Sequence, residues 1–342
     1  MRYRSGRFSL LLWCLMAIVP AVSVWADISN LACTVTTPTD FSKNYNNNQE
    51  ISLSATWQGD TSPYAATFKA NGASIGTSNT DGTTTTFSLS AASLREGDNT
   101  FSVSVIETSV PGATSSGDEN ANGTVTIDRT PPTLTLTVTS GNIVSPNTGT
   151  NEVMLQFTSS EGLGEQPQFT ISPGAIGAPT PVGTPSPPFN SGQYRITVPN
   201  GTSGGTYVVT VTGRDNTEPA SGRNVGTAQT SFVVDAAADG VPTINSANPP
   251  SPCRSQNVVL SGSLPVETGA QRVEVLEGSA VKATTSVAAN TDSWTVTLTD
   301  VPEGSHKYSA RRIDPLGNVS GTGAELTVIV DRTAPTVPSL AS

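Results

Sequence analysis

VTIDRTPPTLTL, 125–136, returns two hundred residues later as VIVDRTAPTVP, 328–338, and between them FVVDAAADGVPTI, 232–244, keeps the outline of the same phrase. Each copy ends an apolar strand, turns on an aspartate, meets proline and starts another apolar run. The aspartates Asp128, Asp235 and Asp331 stand about 100 residues apart, and self-similarity at a fixed period marks an array of repeated units. The expected organisation is three domains, 27–129, 130–238 and 239–334, behind a leader at 1–26 and before a tail, 335–342, that resembles the start of another repeat.

The leader carries Arg2, Arg4 and Arg7 ahead of an apolar run from Phe8 to Val22, with Val24 and Ala26 placed for cleavage before Asp27. That is the pattern of a secretory signal peptide, and the run is too short for a membrane span. Neither Cys14 nor Cys33 has the context of a lipid-anchored cysteine. The whole chain carries a net charge of −10, and loss of three arginines takes the mature chain to about −13. Such a balance disfavours nucleic acid as a partner. The acids are scattered singly, which suits solubility more than a cation-binding patch. Cys33 and Cys253 fall in different repeats, so no disulfide within a repeat is available, and in a linear array both are expected as buried or free thiols. Stability must then come from packed cores, which domains of this size can build.

Alternation of apolar and polar residues recurs throughout and helical spacing is almost absent, so the chain reads as all-β. The last strands of each repeat align: Phe101, Val103 and Val105 then Val125 and Ile127; Tyr207, Val209 and Val211 then Phe232 and Val234; Tyr308 and Ala310 then Leu326, Val328 and Val330. Spacing by two puts each set on one buried face. Ile51, Leu53 and Ala55, then Val153, Leu155 and Phe157, then Val258 and Leu260 supply a facing sheet. About seven short strands per 100 residues match an immunoglobulin-like sandwich, and the aromatic that opens each penultimate strand stands where such domains place a corner tyrosine. Asn71-Gly72 and Glu277-Gly278 read as hairpin turns. At Arg311-Arg312-Ile313 the alternation breaks, which suggests a bulge or an edge.

SWTVTLTDVPEGSHKYSARRIDPLGNVSGTGAELTVIVDRTAPTVP, 293–338, resembles the second half of the bacterial immunoglobulin-like (Big-type) repeats of surface adhesins and other exported proteins. The tryptophan, the Gly-turn-Tyr, Asp-x-x-Gly-Asn at 314–318 and the closing DRTAP stand in family order. The first repeat matches through LREGDNTFSVSV and VTIDRTPP, with GDENANG in place of the Gly-Asn turn. The second diverges most, with RDNTEPASGRN and no DRT. The resemblance implies tandem immunoglobulin-like sandwiches in a linear array, and a role as spacer, adhesive tip or appendage.

Junction aspartates can hold calcium, because a hard cation needs six or more oxygens. The candidates are Asp128, Asp235, Asp331, Asp215 and Asp314; the competing reading has each accept turn amides while nearby prolines stiffen the junction. No other cofactor is expected. PGAIGAPTPVGTPSPPFNSG, 173–192, is a proline-rich insertion, read from composition as a solvated spacer rather than a binding loop. Tyr45, Tyr64 and Phe189 fall in expected loops, and Tyr64 and Phe189 are the ligand-binding candidates for a flat sugar face. GTSGG at 201–205 lacks the strand-to-helix turn of a nucleophile elbow, and Ser279 to Lys282 spells S-x-x-K without companion motifs. No enzyme is expected. Asn122, Asn200 and Asn318 head glycosylation sequons. The expected protein is an exported, monomeric, rod-like spacer or adhesion protein, on the cell surface or extracellular with the periplasm as alternative, whose partner is a surface protein or glycan. A soluble glycan-binding module is the other reading.

Overall fold

The structure, a computed structural model, describes residues 28–59, 62–109, 113–147 and 149–335. The leader at 1–26 and tail positions 336–342 lie outside the described residues. The chain divides into two compact units, 28–129 with Thr217–Gly222, and 130–216 with the residues from Arg223 onward. It is all-β, built of tandem immunoglobulin-like sandwiches.

The first unit holds strands β1 (Ser29–Thr37), β2 (Asn44–Tyr45), β3 (Glu50–Gln58), β4 (Tyr64–Ala70), β5 (Ala73–Thr80), β6 (Thr84–Ser90), β7 (Gly97–Asn99), β8 (Phe101–Glu107), β9 (Glu119–Asn122) and β10 (Val125–Ile127). One face is β1-β3-β6 and the other β5-β4-β8, and β9 joins them by pairing antiparallel with β8 and parallel with β1. The GDENANG segment therefore serves this sandwich as a bridging strand. Ile51, Leu53, Ala55, Val103, Val105, Val125 and Ile127 are all buried, as their parity requires. Asn71 and Gly72 make the two-residue turn between β4 and β5, with φ of 51° and 81°, the left-handed conformation that a tight hairpin demands.

The second unit contains two sandwiches. In the first of these, β11 (Leu134–Ser140), β13 (Glu152–Ser159), β16 (Ser191–Thr197) and β15 (Thr180–Pro181) face β12 (Ile143–Val144), β18 (Val225–Val234), β17 (Gly205–Arg214) and β14 (Gln168–Ser172). In the second, β19 (Thr243–Asn248), β20 (Val258–Ser263) and β23 (Ser293–Leu298) face β22 (Ala280–Val287), β21 (Gln271–Glu277), β24 (Gly304–Ile313) and β25 (Leu326–Val330). Each has its own apolar core, centred on Phe157, Tyr207 and Phe232 in one and on Leu260, Trp294 and Tyr308 in the other. Burying one such side chain contributes roughly 1.5–3 kcal/mol, so cores of this size stand without disulfides. Cys33 and Cys253 are free and buried.

Three local expectations change. Residues 311–313 form no bulge or edge: β24 pairs with β21 in unbroken register through Ile313, and on its other side Arg312 exchanges hydrogen bonds with Ser320. Arg312 keeps the inward parity of Tyr308 and Ala310 and is fully buried, so the apparent break is a charged residue at a core-facing position. The hairpin placed at Glu277-Gly278 turns one residue later, on Gly278-Ser279. The proline-rich insertion is not a solvated spacer, because Ile176 enters the core, Phe189 packs against it and Thr180–Pro181 pairs with β16.

Candidate functional site

Asp128, Asp235 and Asp331 play one structural part three times. Each follows the last strand of its sandwich, and its N–H donates to the carbonyl of Tyr45 at 2.9 Å, of Val144 at 2.8 Å and of Cys253 at 2.8 Å, respectively. The bond extends the parallel pairing of Tyr45 with Ile127, Val144 with Val234 and Cys253 with Val330. Sequence spacing detects the repeat because this closure recurs. The carboxylates of Asp235 and Asp331 then accept from the N–H two residues on, Ala237 at 3.4 Å and Thr333 at 3.0 Å, the Asx-turn behaviour of aspartate in a connection.

Asp215 and Asp314 share a second part. The Asp314 N–H donates to the Asn318 carbonyl at 3.0 Å, Asn318 N–H returns to Oδ1 at 2.9 Å, and the Asn318 side-chain amide donates to Oδ2 at 2.9 Å. Asp215 makes the same three bonds with Asn224, at 3.1, 3.1 and 2.6 Å. RDNTEPASGRN is therefore the Asp-x-x-Gly-Asn turn with its partner nine positions on instead of four. Sequence reading missed the equivalence because the added residues break the spacing, although an Asp and an Asn bracketing the loop were there to be found.

The Asn318 turn sits on the neighbouring sandwich of its own unit. Asn318 Oδ1 accepts from Ser145 Oγ at 2.7 Å and from Asn147 Nδ2 at 3.0 Å, while its Nδ2 also donates to the Asp235 carbonyl at 3.0 Å. Thr150 Oγ1 donates to the Leu316 carbonyl at 3.0 Å. The structure thus brings Asp235 and Asp314 together around one amide, whose N–H groups point at Asp314 Oδ2 and the Asp235 carbonyl. An uncharged amide meets there the oxygens a cation would need. Burial raises the Asp235 carboxyl above the ordinary carboxylate range, and Asp314, Asp239 and Glu267 push in the same direction.

Arg312 fastens the connecting segment. Its guanidinium donates to Glu267 Oε1 at 2.9 Å and Gln271 Oε1 at 2.7 Å, and to the carbonyls of Gly240 and Asp239. A planar five-donor group suits a site with four acceptors converging from a loop, a strand and a linker.

Of the two ligand-binding candidates, Phe189 stands in a loop as expected and Tyr64 does not. Tyr64 opens β4 with its ring inward, 3% exposed and edge-on to Trp57 at a centroid distance of 5.5 Å. The strand begins earlier than the Ser-Pro turn suggests, so the ring joins the core. Tyr45 is likewise buried, its hydroxyl donating to the Asp40 carbonyl at 2.6 Å. Phe189 is half-buried, with φ of 51°, a strained value for a bulky residue that is held by packing against the core. Tyr207 is a corner tyrosine: its hydroxyl donates to the Ser203 carbonyl at 3.0 Å. At the matching turn of the last sandwich His306 stacks on Tyr308, with Nδ1 bonded to Glu277 at 2.8 Å and Nε2 to the Pro302 carbonyl at 3.0 Å. Ser203 belongs to the turn before β17, and Ser279 and Lys282 lie at the Gly278-Ser279 hairpin and on β22. Asn122 and Asn200 are exposed, whereas the Asn318 amide is buried and fully engaged.

No protein-family profile matches the chain, and no curated protein does. Among solved structures, the tetra-tandem repeat from the extending region of a large adhesion protein is 20% identical, covering 87% of this chain and 74% of that one, with a TM-score of 0.31. The BSP domain of a biofilm-associated protein is 12% identical, covering 92% and 68%, with a TM-score of 0.30. The fibronectin(III)-like modules of Clostridium thermocellum CbhA are 13% identical, covering 90% and 100%, with a TM-score of 0.20.

Proposed function

We propose that the protein is a non-enzymatic exported repeat protein of the bacterial immunoglobulin-like type, serving as a spacer or adhesion element at the cell surface or outside the cell. The observation that carries this reading is the junction inside the second unit. Asn318 and Arg312 make eight side-chain hydrogen bonds that hold a turn and a linker to the residues around them. A spacer needs its domains held at a fixed setting under load, and hydrogen-bonded side chains with buried partners supply that resistance. The signal-peptide pattern at 1–26 supports export, the scattered acidic charge suits an extracellular surface, and the repeat boundaries near 130 and 239 belong to the same reading.

The test is an immunoblot of the native source cells, separated into medium, surface wash, periplasm, membranes and cytoplasm. A band in the medium or surface wash, smaller than the unprocessed chain, is the expected result. Confinement to the periplasm would overturn the surface role, and a full-length cytoplasmic band would overturn export.

A further inference from the structure

The proline-rich insertion, once folded onto its sandwich, encloses a groove of about 330 Å³ against the β16 edge. Its backbone is fixed at several points. Leu163 N–H donates to the Pro188 carbonyl at 2.7 Å, Ser159 N–H to the Asn190 carbonyl at 2.8 Å and Val182 N–H to the Gln193 carbonyl at 2.8 Å. With Ile176 in the core and Phe189 against it, the loop stands ready-formed, which lowers the ordering cost of taking a ligand. A spacer requires no such feature, so the groove goes beyond the role proposed above.

The chemistry of the wall selects the ligand. The hydroxyls of Thr184, Ser186 and Ser191 and the amides of Asn190 and Gln193 line the groove beside Tyr194. None of those five side chains has a hydrogen-bond partner among the described residues. Each of the five both donates and accepts, as a sugar hydroxyl does. The rest of the wall is Gly192, Val182 and the prolines at 181, 185, 187 and 188, whose apolar surface suits the C–H face of a pyranose. In a chain of net charge −10, no charged side chain lines it. That absence removes the groups that would recognise phosphate, carboxylate or a metal ion. The volume lies at the small end of ligand pockets, roughly 300–1,000 Å³, which suits one or two rings more than an extended polymer.

We infer that this groove is a binding site for a neutral monosaccharide unit, either free or as the end residue of a glycan. The test is saturation-transfer NMR on the whole chain with glucose, galactose and N-acetylglucosamine, and with glucuronate as a charged control. Transfer to at least one neutral sugar is expected, with a dissociation constant that rises at least tenfold in the Asn190→Ala/Gln193→Ala double variant and in the groove-filling Thr184→Trp variant. Both variants change side chains at least partly exposed to solvent, and an unchanged melting midpoint verifies that each is folded. Transfer to no neutral sugar, transfer to glucuronate alone, or affinity unchanged in both folded variants would overturn the assignment. Retention of an extended peptide without any sugar would overturn it too. A neutral sugar that binds free but whose oligosaccharide is refused supports the site and identifies the free sugar as its ligand.

Discussion

Asp314 and Asn318 are joined by three hydrogen bonds of 2.9 to 3.0 Å, and the second face of the same asparagine amide holds Ser145 and Asn147 of the neighbouring sandwich. Removing the amide leaves a largely buried carboxylate and the buried Ser145 hydroxyl short of their partner. The cost of each such group is about 1–3 kcal/mol, more when it is charged. Asn318→Ala is therefore expected to lower stability by about 2 kcal/mol or more. Asn318→Asp should be worse, because it sets a new carboxylate beside Asp314 and Asp235. Calorimetry of the whole chain gives both values. An Asn318→Asp variant as stable as the parent would sink the view that this amide holds the turn.

Arg312 gives a sharper contrast between a broken pair and an absent one. Its guanidinium is fully buried and its partner Glu267 is about one-third exposed. Taking away one member of a buried ion pair costs roughly 3–5 kcal/mol, whereas replacing the charge with an apolar group of similar volume can be close to neutral. Because Glu267 keeps contact with water once its partner is gone, Arg312→Ala should fall toward the low end of the first range. The double variant Arg312→Met/Glu267→Gln should recover part of the loss, less whatever the carbonyls of Asp239 and Gly240 lose as acceptor sites. Urea titration separates the three proteins, and equal midpoints for Arg312→Ala and the parent would show that the linker is held by something else.

How far these features could be foreseen depends on what kind of regularity carries them. Inward residues such as Val103, Val209 and Leu260 are legible because a strand alternates with a period of two and burial punishes any exception. Arg312 obeys the same parity, yet its charge makes the pattern look broken, since its four acceptors, on Asp239, Gly240, Glu267 and Gln271, all lie far away in sequence. The Asp215–Asn224 turn escaped because chemistry at the two ends survived while the spacing did not. Tyr64 was misplaced by a boundary: the proline before it signals a turn, but only the pairing of β4 with β8 shows that the strand starts at once. The groove depends on where a loop of prolines settles, and composition alone gives prolines no address.

Asp235 and Glu277 should respond to pH in opposite ways. Burial raises the Asp235 carboxyl, so the folded chain binds that proton more tightly than the unfolded one does. The resulting contribution is present at acid pH and is lost as pH rises from the ordinary aspartate value through the raised one. Asp235→Asn should therefore melt above the parent at pH 7, with the difference shrinking toward pH 3. A difference that is the same at both pH values would exclude the carboxyl charge as its source.

For Glu277 the sign reverses. The hydrogen bond from His306 and then that from Lys282 hold its carboxyl below the ordinary glutamate range. Its contribution is complete above the unfolded-state value and is lost as pH falls through the lowered one. The partners of the His306 ring, Glu277 Oε1 and the Pro302 carbonyl, both accept, so the two bonds are complete only when both ring nitrogens carry a proton. In His306→Leu the Glu277 carboxyl should titrate closer to its ordinary value yet still below it, because Lys282 remains at 3.0 Å. Carbon-detected NMR of the side-chain carboxyl reads this directly, and an unmoved titration would mean that the lysine alone sets it.

The two sandwich cysteines offer a reading of how tightly the cores close. Burial, with help from Glu119, pushes the Cys33 thiol up to about 11, and the thiolate is the reactive form. At pH 8 almost none of it is ionised, and only 6% of the residue meets solvent. Cys253 is 8% exposed, and its Sγ lies 3.7 Å from the Ser255 carbonyl. In a chain carrying Cys14→Ser, a thiol reagent at pH 8 should leave both sites unlabelled while the protein is folded and modify two per chain in denaturant. Labelling that begins only as denaturant opens the core around each cysteine would show that reaction proceeds through opening of the sandwich. Rapid labelling of Cys33 in the native protein would contradict the closed core on which its raised value rests.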